Sequence, residues 1–145
     1  MSNVVVSLAE QSVISLLQPA LVGTVCEGKI YTSDSDVQKE AGPNVVVRIK
    51  GAEEQISPGC GIYKLTIEIE FQSHVKDTTP NERDAVMTAI NNFGYTSPAT
   101  NMSTLDGFYC YGFIPAAGVL SIEPETKSYV YLVESTALCM ARDNT

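Results

Sequence analysis

The stretch Ile62–His74 constrains the fold more than any other part of the chain. Leu65, Ile67, Ile69 and Phe71 fall at alternate positions, and Lys64, Thr66, Glu68, Glu70, Gln72 and His74 fall between them. Side chains on a strand point to opposite faces in turn, so this alternation predicts a β-strand with one apolar and one polar face. At roughly 3.3 Å per residue the strand would run about 40 Å, longer than most. A slip of one residue would turn the whole apolar set to water, so the register is tightly specified. The rest of the chain must cover the apolar face, and the polar face is left for water or a partner.

Two segments can supply that cover. Thr79-Pro80-Asn81-Glu82 combines a capping threonine, a proline at the first helical position and a glutamate placed to reach back. Ala85, Val86, Ala89, Ile90 and Phe93 then form an apolar stripe, and Gly94 supplies a stop. Ser7-Leu8-Ala9-Glu10 reads as a second capping box. It is followed by Ala9, Val13, Leu16, Leu17 and Ala20 at helical spacing, with Pro19 expected to end the helix near Leu17 or Gln18. Val4-Val5-Val6 fits either an extra turn or an extended lead-in.

Further strands are expected at Thr24–Thr32, Asn44–Lys50, Phe108–Pro115, Val119–Glu123 and Tyr129–Met140. Thr32–Gly42, Gly51–Gly61 and Tyr95–Asp106 read as polar connections, the first two exposed and mobile in an isolated subunit. Consecutive strands with short turns, interrupted by two helices, predict an α+β fold: a largely antiparallel sheet with two helices packed on one face. The 145 residues fit a single domain spanning 1–145.

A net charge of −8 argues against general nucleic-acid binding and against docking on anionic membranes. Neither a secretory leader nor a membrane-spanning run is expected, because Val4–Leu17 is interrupted by Ser7, Glu10, Gln11, Ser12 and Ser15. Cys26, Cys60, Cys110 and Cys139 are widely spaced and match no zinc pattern. Cys110 and Cys139 sit among apolar neighbours and read as buried, reduced thiols.

No constellation suggests catalysis. His74 is the sole histidine and falls on the polar side of the long strand. Cys60 lies near Glu53 and Glu54, which oppose a thiolate. Glu68 and Glu70 share a strand face about 7 Å apart, which any alternating acidic strand produces. Asp34 and Asp36 lack the glycine and terminal glutamate of a calcium loop. No phosphate-binding glycine motif occurs. The expected catalytic, cofactor and metal sets are empty, leaving a structural subunit, a small binding module, or an enzyme of unrecognised type that a pocket with two perturbed titrating groups would reveal.

Two stretches carry a resemblance. Pro43-Asn44-Val45-Val46-Val47-Arg48 is followed by Leu65-Thr66-Ile67-Glu68-Ile69-Glu70-Phe71-Gln72-Ser73-His74, and then by Asp77-Thr78-Thr79-Pro80-Asn81-Glu82-Arg83-Asp84-Ala85-Val86. With Gly107-Phe108-Tyr109-Cys110-Tyr111-Gly112 and a closing strand, this order resembles the small tail-terminator and tail-completion proteins of tailed bacteriophages. The resemblance rests on element order and turn chemistry, from the first helix to about Met140. It implies a virion protein of the tail and neck, assembled in the host cytoplasm. Its partners would be further copies in a ring, commonly of six, the tail tube protein and the head connector. DNA would pass through the ring without specific binding. A head–tail stopper or adaptor, or another small non-enzymatic phage module, is the alternative. On the ring reading, the polar side of the long strand, with Glu68, Glu70, Gln72 and His74, is the candidate channel wall. It would be a band of like charge on which no phosphate meets a lysine or arginine.

Overall fold

The computed structural model describes residues 2–32, 43–54, 61–95, 108–114 and 116–141. In chain order the elements are α1 (Ser2–Ala20), β1 (Ile30–Thr32), β2 (Asn44–Glu54), β3 (Ile62–His74), α2 (Pro80–Tyr95), β4 (Phe108–Ile114), β5 (Val119–Glu123) and β6 (Ser128–Ala141). The described strands form one sheet in the order β1-β2-β3-β6-β4, and β5 pairs with β6 beyond the end of β4. Among the described strands only β1 and β2 pair in parallel, and the other pairings are antiparallel. Both helices lie over one face, so the α+β arrangement expected from the sequence is the observed one.

Strand β3 has the bounds its alternation predicts, and it is the centre of the sheet. All of its residues pair with β6, from Ile62 opposite Met140 to His74 opposite Ser128. Tyr63, Leu65, Ile67, Ile69 and Phe71 are buried beneath the helices, beside Val133, Ala137 and Cys139 of β6 and Val45 and Val47 of β2. Fully burying a side chain of this size contributes roughly 1.5–3 kcal/mol, so this face is the main stabilising layer.

Helix α2 starts as its sequence dictates. Thr79 Oγ1 accepts from the Glu82 amide at 3.2 Å, and Glu82 Oε1 accepts from the Thr79 amide at 2.9 Å. These reciprocal bonds satisfy two donors that a helix start leaves open. Val86, Ile90 and Phe93 are buried, and Phe93 meets Phe113 of β4 edge-to-face at 6.2 Å between ring centres.

Helix α1 departs from expectation at both ends. It begins at Ser2, so Ser7 is an exposed residue of the helix rather than its cap, and Val4–Val6 form helix. It also runs through Pro19 to Ala20. The cause is the buried stripe Val5, Ala9, Val13, Leu17 and Leu21, one residue every turn, which continues past the proline. The Leu21 amide reaches the Leu17 carbonyl at 3.1 Å and carries the hydrogen-bond ladder beyond Pro19. The chain then turns at Gly23, whose φ of 85° suits a residue without Cβ.

Two strands also differ in length from the expected ones. The expected strand Thr24–Thr32 shrinks to Ile30–Thr32, because Thr24 bonds locally to the Leu21 carbonyl and the Cys26 amide instead of joining a ladder. Strand β2 continues past Lys50 to Glu54, because a β-bulge between Ile49 and Gly51 lets Ala52 and Glu53 pair with Leu65 and Lys64. Of the expected mobile connections Thr32–Gly42 and Gly51–Gly61, residues 51–54 belong to β2, and residues 33–42 and 55–60 lie outside the described residues, as do 96–106 of the expected loop Tyr95–Asp106 and with them Asp34, Asp36 and Cys60.

Candidate functional site

The helix-free face of the sheet is where the sequence placed its candidate residues. Glu68, Glu70, Gln72 and His74 all project there, as the register of β3 requires. Their surroundings differ from the expected acidic band. Glu68 is only 8% exposed, and Glu70, Gln72 and His74 are half-buried.

Two cations that the sequence reading left out stand on the same face. Arg48 lies directly across from Glu68 on the neighbouring strand. Its Nη1 donates to Glu68 Oε1 at 2.7 Å, and its guanidinium meets Glu70 Oε1 at 3.3 Å. Lys50 sits at the β2 bulge, with Nζ 3.3 Å from Glu134 Oε2 and 3.6 Å from Glu68 Oε2. Glu68 and Glu134 are directly opposed across β3 and β6, an arrangement that like charge disfavours. Lys50 bridges that pair, and its ammonium is held above its ordinary pKa mainly by the hydrogen bond to Glu134. The expectation that no lysine or arginine meets this face is therefore corrected. The signal was present in the sequence: Arg48 and Lys50 alternate along β2, and antiparallel pairing with β3 sets them against its glutamates.

Beyond the ionic block, the same face turns apolar. Tyr109 and Ile114 of β4, Val119 of β5 and Leu138 of β6 project from it, because each pairs with an outward residue of its neighbour. Ile114 and Val119 are 67% and 65% exposed, and Tyr109 and Leu138 are also exposed. Strands β4 and β5 lie end to end along one edge of β6.

His74 borders a surface recess of about 390 Å³ with Val75, Lys76, Thr126 and Lys127. The recess brings neither an acid nor a thiol to the imidazole among these lining residues. Among the described residues, no group of three or more His, Cys, Asp or Glu side chains could hold a metal ion. No described helix is long and apolar enough to cross a membrane.

The cysteines hold one arrangement that spacing did not reveal. Cys110 and Cys139 are directly opposed across β4 and β6, so both side chains project to the same side of the sheet, and the Cys110 thiol donates to the Gly112 carbonyl at 3.4 Å. Cys139 is buried as expected, but Cys110 is only half-buried. The Cys139 interaction brings the Cys110 thiol down to about 7, against the opposing effect of burial. The same contact, with burial, pushes Cys139 up. Cys26 is a plain core thiol, pushed up to about 12 by burial.

No protein-family model matches the chain, and no curated protein matches it.

Proposed function

We propose that this chain is a non-enzymatic structural subunit of a tailed bacteriophage, forming a ring that closes the tail tube and joins it to the head connector. The observation that carries the reading is the exposed apolar strip of Tyr109, Ile114, Val119 and Leu138. Four large apolar side chains on one sheet face, beside an edge with no described partner strand, form the kind of patch that a neighbouring protein covers. The element order resembling tail-terminator proteins supplies the kind of neighbour: further copies of the same chain, the tube below and the connector above. A head–tail stopper or adaptor would use the same strip against a different protein.

The direct test is the assembly state of the purified full chain, by light scattering and negative-stain micrographs, alone and with tail tubes. The expected result is a closed ring with a mass several times 15.6 kDa. Ile114→Glu with Val119→Glu should abolish the ring and leave the subunit folded, because neither side chain belongs to the core. A chain that stays monomeric both alone and with tail tubes would overturn the proposal.

A further inference from the structure

We propose that Cys110 and Cys139 are a site of oxidative modification, joined by a low-molecular-weight disulfide oxidant into a cross-strand bond that ties β4 to β6. The geometry carries this. The two residues are direct partners in the antiparallel register. Directly opposed antiparallel residues have Cα atoms roughly 4.5 or 5.5 Å apart depending on the pair type, and both values fall within the span a disulfide bridges. As direct cross-strand partners the two side chains project to the same side of the sheet, so bond formation needs a rotation of side chains and no search.

The local backbone can accommodate the change. The register of β4 shifts between Cys110 and Gly112, which marks a bulge where the strand bends most readily. A Cβ built at Gly112 would meet nothing within 4 Å, so the strand has space on that side.

The exposure of the two residues sets the order of the chemistry. Cys110 is half-buried and the more accessible of the two to a small oxidant, whereas Cys139 is buried. With glutathione disulfide, the Cys110 thiolate attacks one sulfur, a mixed disulfide forms and one glutathione thiolate leaves. Cys139 then releases its proton to solvent and attacks the Cys110 sulfur, expelling the second glutathione. The protein dithiol loses two electrons and two protons, and the oxidant becomes two glutathione thiols. The product locks the strand that carries Tyr109 and Ile114 to the centre of the sheet. This inference is independent of the ring proposal.

The test uses the full chain, treated with glutathione disulfide, then alkylated, digested and mapped by mass spectrometry. A peptide pair linked through Cys110 and Cys139 is expected in the wild type and in Cys60→Ser, and is absent from Cys110→Ser. The oxidised chain should melt about 10 °C higher than the reduced chain, from the loop-closure effect on the unfolded state. Alkylation of both residues after oxidant treatment of the folded wild type would overturn the proposal, and so would linkage of either one to Cys60 instead. Because the wild-type map alone decides between these outcomes, a failure of Cys110→Ser to fold leaves the test intact.

Discussion

Replacing Arg48 with methionine measures how much the ionic block contributes. The substitution keeps most of the apolar stem and removes the charge that faces Glu68 and Glu70. A fully exposed ion pair contributes roughly 0–1 kcal/mol. Breaking a fully buried one costs about 3–5 kcal/mol, because the abandoned charge stays out of water. This pair lies between those limits: the Glu68 side chain is 11% exposed and that of Arg48 is 29%. Lys50 remains 3.6 Å from Glu68 and compensates for part of the loss. The expected cost is therefore about 2 kcal/mol, or roughly 5 °C in melting temperature for a domain of this size. The assay is urea unfolding, with a double-mutant cycle that adds Glu68→Gln. Once Arg48 is gone, neutralising Glu68 should recover about 1 kcal/mol, since it removes the stranded charge. A single Arg48→Met loss below about 0.5 kcal/mol would refute the reasoning, because it would place the network with ordinary surface pairs. A Glu68→Gln change that deepens the loss in the Arg48→Met background would refute it as well.

Two further predictions concern the β5–β6 corner and the thiol pair. Gly118→Ala should destabilise the chain by about 3 kcal/mol in the same urea assay, at the upper end of overpacking costs. The added Cβ would collide with the ring of Tyr131, which is buried and donates a hydrogen bond to Asn91 Oδ1, and wild-type stability in that variant would show that the ring moves freely. In the reduced protein, the rate of iodoacetamide labelling at Cys110 should rise with pH to half its maximum near about 7, since deprotonation makes the nucleophile. Cys139→Ala removes the neighbouring thiol and should move that midpoint up, whereas a wild-type midpoint at the ordinary thiol value near 9.0 would contradict the assigned influence of Cys139.

Local chemistry was legible where one residue pattern had a single structural solution. The alternation along β3 fixes both bounds because each face has a different solvent, and the Thr79–Glu82 box fixes the start of α2 because both of its bonds are local. The misses share a different cause. Ser7 has the residue types of a cap, but Val5 is drawn into the core and the helix starts earlier. Glu53 and Glu54 look like loop residues and extend β2 only because the bulge at Lys50 restores pairing with β3. The parallel β1–β2 pairing and the end-to-end placement of β4 and β5 along β6 depend on contacts distant in sequence, which no local pattern encodes. The side to which Glu68 and Glu70 project follows from the alternation of β3, but the charge around them does not, because their ionic partners Arg48 and Lys50 stand on another strand.

These ion pairs change the physical case for the face as a channel wall. A bare band of glutamates, repeated around a ring, would have to overcome its own repulsion. The observed block sets Glu68, Glu70 and Glu134 against Arg48 and Lys50, three carboxylates and two cations, so little repulsion is left for assembly to offset. Pairing also alters how such a wall would treat DNA. Phosphates are attracted to cations that are free to shed counterions. Arg48 is already held by two carboxylates, and Lys50 by two. A phosphate could recruit either one only by displacing a glutamate already in contact, leaving that glutamate beside the incoming anion. The paired block itself is thus weakly adhesive to a passing polyanion without being strongly repulsive, while Lys64 stands exposed on the same face outside that block. On the proposed ring, that property would suit a passage that neither holds DNA nor pushes its own subunits apart, and would let apolar contacts at Ile114 and Val119 hold neighbouring subunits together.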